Sequence, residues 1–185
     1  KLGIDIFSSP FDESAVDMLE SLGCPAYKIA SAEITHIPLI KKIAETKKPV
    51  ILSIGLANLR DIQLALNILK NKGSKKIILL QCVSSYPSPL REQNLKTIPF
   101  IKKKFKVYSG LSDHTKGTTN AITAAALGSA MIEKHFTLED KKKTVDSFFS
   151  IKSLEFKRMV DEIRKVEIAL GKKTLDISKS SKKNL

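Results

Sequence analysis

The chain has 185 residues, 42% of them hydrophobic and 28% charged, which is the size and mixture of one globular domain with its own core. Apolar runs such as Ile77–Leu80 and Ala121–Ala126 fall far short of the ~20 residues a bilayer crossing needs, and two cysteines, Cys24 and Cys82, cannot build a disulfide framework. The net charge of +13 is mostly lysine, without interleaved aromatics and with little arginine, so it reads as a solvated surface rather than a nucleic-acid interface. Ile4–Phe7 is the first expected strand, and Asp12 caps a helix over Glu13–Leu22 that Gly23 ends. Tyr27–Ala30 is the second strand, followed by a short helix over Ile37–Glu45 with Pro38 in its first turn. Val50–Ser53 is the third. Asn58, with Asp61 three residues on, starts a helix over Leu59–Lys70, and Gly73 lies beyond its end. Ile77–Gln81 and Val107–Leu111 follow as strands, with no helix singled out between them. Thr118–Leu127 is helical to Gly128, Ala130–His135 is the sixth strand, and Ser153 heads the longest helix, Leu154–Leu170, closed by Gly171. Lys172–Leu185 reads as a linker or frayed end.

The strand starts recur every 23–30 residues, and the runs are continuous rather than alternating, as in a parallel sheet buried on both faces. Such units build either an open doubly wound sheet or a (β/α)8 barrel of the TIM type. No Gly-x-Gly-x-x-Gly or Walker loop follows a strand, which disfavours nucleotide-binding versions of the open sheet. In a barrel, six units leave two strands upstream of Lys1, in keeping with the missing initiator Met. No signal-peptide pattern opens the chain and both cysteines lie in apolar surroundings, so a reduced cytoplasmic protein is expected.

Polar residues gather at the expected strand ends, which in a barrel converge on one face. Lys28 stands inside a strand: it is an edge lysine reaching solvent, a Schiff-base lysine, or a fixed cation for phosphate or carboxylate. His114 and His135 end consecutive strands, close enough to share a divalent transition metal with oxygen ligands, although each alone would pass for a structural histidine. Asp113 is expected either to orient an imidazole or to cap the next helix, and Glu133 likewise, with a partner needed inside a strand. Ser9, Ser31, Ser53, Ser84 and Ser112 form a ring of hydroxyl donors that with Lys28 would cradle an oxyanion. His36 reads as a surface residue without a partner.

The strings FSSPFD, AYKIASAEI, PVILSIG, QCVSSYPSP, GLSDHTKG and IEKHFTLE, in this order, closely resemble the sialic acid synthase family. Members of that family condense phosphoenolpyruvate with an N-acylated amino sugar to make nonulosonic acids. The resemblance implies a partial (β/α)8 barrel over residues 1–171 lacking its first two strands, and a tail, 172–185, leading toward an antifreeze-like domain. It implies that Ser9, Lys28, Ser31, Ser53 and Ser112 grip phosphoenolpyruvate, with a smaller share for Ser84, whose position is often Asn in the family. His114 and His135 are implied as metal ligands, usually for Mn²⁺, with Mg²⁺ or Co²⁺ as alternatives. Glu33, Tyr86 and Asp146 would face the amino sugar. Lys28, Glu33, His114 and His135 make the implied catalytic set, with Lys28 an electrostatic anchor rather than a Schiff base. The loop Thr144–Ser150 resembles the pseudaminate branch, where neuraminate and legionaminate branches have Gly-Pro-Asp-His; the run Lys141–Lys143 departs from the commoner loop. A homodimer is implied for the full-length protein, with neither nucleic acid nor membrane as partner. Residues 1–185 alone are expected to be inactive and poorly stable. The competing readings are an inactive barrel fragment serving binding or assembly, and a metal-dependent aldolase that uses pyruvate and releases no phosphate.

Overall fold

In the computed structural model, which describes residues 3–138 and 144–184, five strands lie parallel in one sheet. They are β1 (Tyr27–Ile29), β2 (Val50–Ser53), β3 (Ile77–Cys82), β4 (Tyr108–Asp113) and β5 (Ile132–Lys134), each beside its neighbour in sequence. Helix α1 (Glu13–Ser21) precedes them, and α2 (Ile37–Glu45), α3 (Leu59–Asn71), α4 (Thr97–Phe105) and α5 (Thr119–Ala126) fill the crossovers. A short parallel pair, β6 (Phe136–Thr137) and β7 (Ile151–Lys152), leads into α6 (Ser153–Leu170). A doubly wound sheet must reverse its strand order at a switch point. This one does not, so every right-handed crossover falls on the same face, as in a barrel.

Strand alternation sorts the side chains. Tyr27, Ile29, Val50, Leu52, Ile77 and Leu79 point outward into a core shared with Val16 of α1, Ile40 and Ile43 of α2, Leu66 of α3 and Phe105 of α4. The intervening residues, Lys28, Ile51 and Ser53 among them, face inward. Lys28 Nζ on β1 lies 3.2 Å from Glu133 Oε1 on β5. In a flat sheet those strands would stand about 19 Å apart, so the sheet is curled into part of a barrel.

Several expectations shift. Ile4–Phe7 is not a strand: a single bridge, Ser8 to Tyr27, marks its place, and Ile4 and Ile6 are 77% and 83% exposed. Only one flank of this segment meets another strand among the described residues, which leaves its apolar side chains uncovered. The main sheet therefore has five strands among the described residues where six were expected. Helix α4 was not anticipated, although Ile98, Ile101 and Phe105 carry its buried stripe. Its start lacks a side-chain cap, so the usual opening signal is missing. The anticipated caps of α1 and α3 form: Asp12 accepts from Ala15 N at 2.7 Å, and Asn58 with Asp61 makes a capping box. Residues 172–184 are exposed, with a single 3-10 turn at Ser181–Asn184. No described helix is long and apolar enough to cross a membrane, and the run Lys141–Lys143 lies outside the described residues.

Candidate active site

The C-terminal ends of the strands enclose a cavity lined by Lys28, Ala30, Ser31, Ser53, Cys82, Tyr86, Ser112, His114, Glu133 and His135. Lys28 is buried on the inner face of β1, its charge met by Glu133, and Ser112 Oγ donates to the same carboxylate oxygen at 2.6 Å. Ser31 opens the 3-10 turn Ser31–Glu33 after β1, and Gly55 N donates to its hydroxyl at 3.0 Å. A side chain at Gly55 would meet Ser84 Oγ at 2.7 Å, so glycine lets these loops close on one another. Ser53 ends β2, is 2% exposed, and its hydroxyl has no hydrogen-bond partner among the described residues. A buried hydroxyl left unmatched costs free energy, and beside a lysine it suits an incoming anion.

The two histidines close the other side, their ring centroids 5.3 Å apart. His114 Nδ1 lies 2.9 Å from the Val83 carbonyl. That nitrogen must donate to the carbonyl, which leaves Nε2 as the lone-pair nitrogen in the neutral ring. His135 Nδ1 is 3.4 Å from Asp146 Oδ2. Tyr86 stacks near both rings, at 4.2 and 5.7 Å, and Phe149 packs 4.8 Å behind His135. Burial pulls the His114 pKa down, but Cys82 and the Val83 carbonyl outweigh it and hold the imidazole above its ordinary value. His135 is held below its ordinary value, first by burial and then by the neighbouring His114. Burial pushes the Cys82 thiol up, yet contacts with His114, Ser31 and Ser84 bring it below the usual thiol range.

Among the described residues no group of three or more His, Cys, Asp or Glu side chains is spaced to hold a metal ion. The two imidazoles nonetheless fit half of a donor set. One nitrogen of each is tied to a carbonyl or a carboxylate, the outer arrangement common for metal-binding histidines, and oxygens of substrate and water would complete it.

Lys28, Ser31, Ser53, Tyr86, Ser112, His114 and His135 are thus brought into one cavity. Ser84 stands at its edge, 3.9 Å from Cys82 Sγ, and Asp146 reaches it through His135. Ser9 and Glu33 are not among the lining residues; the Glu33 carboxylate is 3.9 Å from His36 Nδ1, so His36 is not without a neighbour. Asp113 contacts no imidazole and does not cap α5. Its carboxylate binds Lys134 at 2.8 Å and Thr115, because strand alternation turns it away from His114. Cys82 is likewise not in apolar surroundings, since it lies among Ser31, Ser84 and His114. Cys82 had no signal in sequence beyond its place at a strand end, and Glu133 only its need of a partner.

A curled parallel sheet with its polar groups at the strands' C-terminal ends defines a barrel-type domain with its site at that face. Within that class the chain belongs to the NeuB family, whose model matches residues 1–175. It is 43% identical to the N,N'-diacetyllegionaminic acid synthase of Campylobacter jejuni over all of this chain and 56% of that protein. It is 47% identical to the pseudaminic acid synthase of Helicobacter pylori over 92% of this chain and 50% of that protein. The crystal structure of N-acetylneuraminic acid synthetase from Leptospira borgpetersenii, in complex with citrate, superposes with a TM-score of 0.91 at 36% identity, covering 98% of this chain and 63% of that one. The chain spans about half the length of the curated relatives it matches.

Proposed function

We propose that the full-length protein condenses phosphoenolpyruvate with an N-acylated amino-sugar aldehyde, releasing phosphate and forming a nonulosonic acid. The observation that carries this reading is the unmatched Ser53 hydroxyl, buried in a cavity that Lys28 and a pair of imidazoles also line. A cation with hydroxyl donors suits a phosphate- and carboxylate-bearing substrate. The relatives named above are synthases of acids of this class.

In this reading Lys28 holds the anionic groups of phosphoenolpyruvate, and Ser31, Ser53 and Ser112 donate to them, with Ser9 and Ser84 approaching from the loops. A divalent ion held by His114 and His135, Mn²⁺ in first place, supplies Lewis acidity toward the sugar aldehyde. The C3 carbon of phosphoenolpyruvate attacks the aldehyde carbon and forms the new C–C bond; the carbonyl oxygen takes a proton and becomes a hydroxyl. Water adds to the electron-poor C2 and gives up a proton. Phosphate then departs with the electrons of its C–O bond while the C2 hydroxyl gives up its proton, taken by the leaving phosphate, and a 2-keto acid remains. Glu33 handles protons on the sugar, and Tyr86 and Asp146 orient it. The Tyr86 ring already stacks on His114, and Asp146 already touches His135.

Within the family we propose the pseudaminate branch, on the loop Thr144–Ser150. Asp146 and Phe149 of that loop both rest on His135, so its residues stand where a sugar would be read. Identity alone does not separate the branches, because a legionaminate relative matches nearly as well. The test is phosphate release by the full-length protein with phosphoenolpyruvate and Mn²⁺. The sugars compared are 2,4-diacetamido-2,4,6-trideoxy-altrose, the legionaminate precursor and N-acetylmannosamine, with EDTA as control. Release with the altrose alone, abolished by EDTA, is expected. Release with another sugar moves the substrate, and release with none overturns the reading.

A further inference from the structure

Asp113 and Lys134 form an ion pair with side chains 0% and 2% exposed. They are register partners across β4 and β5, and each immediately precedes a site histidine, His114 and His135. Lys134 Nζ donates to Asp113 Oδ2 and to the Thr115 carbonyl, both at 2.8 Å. Asp113 Oδ1 accepts from Thr115 N at 2.9 Å and from Thr115 Oγ1 at 2.7 Å. The residues on both sides of His114 are therefore fastened to the residue just before His135. Alternation puts this cluster on the sheet face opposite the cavity, behind the imidazoles.

A buried ion pair is a poor stabiliser, because desolvation offsets most of the attraction and a well-packed apolar pair often does as well. What such a pair gives is a single geometry. We propose that Asp113, Thr115 and Lys134 are positioning residues that fix the separation and aim of His114 and His135. The functional half of this inference rests on the two-histidine reading above; the structural half does not.

The test uses the full-length double variant Asp113→Asn/Lys134→Met. It removes both buried charges together and keeps an acceptor for Thr115. Three quantities are read: the melting temperature, the imidazole ¹⁵N–¹H resonances of metal-free protein, and Mn²⁺ affinity followed by the free-ion EPR signal. The expected result is a melting temperature near the parent's, displaced resonances for both histidines, and Mn²⁺ affinity about ten- to hundredfold weaker. The core variant Ile43→Val, in the separate core cluster around α2, lowers the melting temperature and leaves the histidine resonances in place. Coincident histidine resonances and equal Mn²⁺ affinity in double variant and parent overturn the proposal. Should the double variant not fold, Thr115→Val removes only the Oγ1 donor and is expected to displace the His114 resonance; an unmoved resonance overturns the proposal there. A parent that binds no Mn²⁺ defeats the two-histidine metal reading, while the imidazole resonances still decide the positioning role.

Discussion

Lys28 faces a carboxylate in the structure, so an arriving anion competes with Glu133 for it. Lys28→Met in the full-length protein is expected to lower kcat/KM for phosphoenolpyruvate roughly ten- to hundredfold, the worth of a charge-assisted hydrogen bond; steady-state kinetics measure it. Borohydride with pyruvate should trap no adduct on the parent, as an anchoring lysine requires. Glu20 gives a second residue-scale expectation. Its carboxylate is held below the ordinary value of 4.5, first by Lys48 and then by the Tyr27 hydroxyl. A depressed folded-state pKa stabilises above the unfolded value and is lost as pH falls through the folded one. Urea unfolding of the parent and Glu20→Gln should therefore differ steadily at neutral pH and converge below about 4.5. Lys28, His114 and His135 were legible in sequence because charged or metal-capable side chains are rare inside strands. The partners were not, since Glu133 meets Lys28 across a curl that no local pattern encodes. The face that Asp113 takes was not legible, because one step along a strand reverses the face and only the register says which face is which.

At the scale of elements, the caps expected at Asp12 and Asn58 form, whereas Ser153 is the first residue inside α6, behind Lys152, and caps nothing. Helix α3 has its box at Asn58 and Asp61, and Asn58→Ala is expected to cost about 1 kcal/mol in urea unfolding. Helix α4 had the periodicity without the cap, and the first expected strand had the apolar run without a second neighbour. The β4–β5 contact depends on Gly110, where an added Cβ would sit 2.3 Å from the Met131 carbonyl and 2.7 Å from Leu80. Backbone cannot yield there as a side-chain tip would. Gly110→Ala should lose about 1–3 kcal/mol or more, checked by denaturation, and should push His135 away from His114, visible in their imidazole resonances.

On the scale of the whole molecule, the order of strands decides the architecture and the curl makes the site. The barrel alternative was legible from unit length and absent nucleotide loops; the degree of closure was not, because it is a property of summed twist and stagger. Lys28 and Glu133 are separated by more than half the chain, and the first and fifth strands must meet before the cavity exists. Closing so long a loop belongs late in folding. Pairing of β2 through β4 alone would bury much of the apolar outer core without forming the anion cradle. A substrate anion that occupies the cradle should then slow unfolding and leave the folding rate unchanged, so binding protects the finished molecule without guiding its assembly.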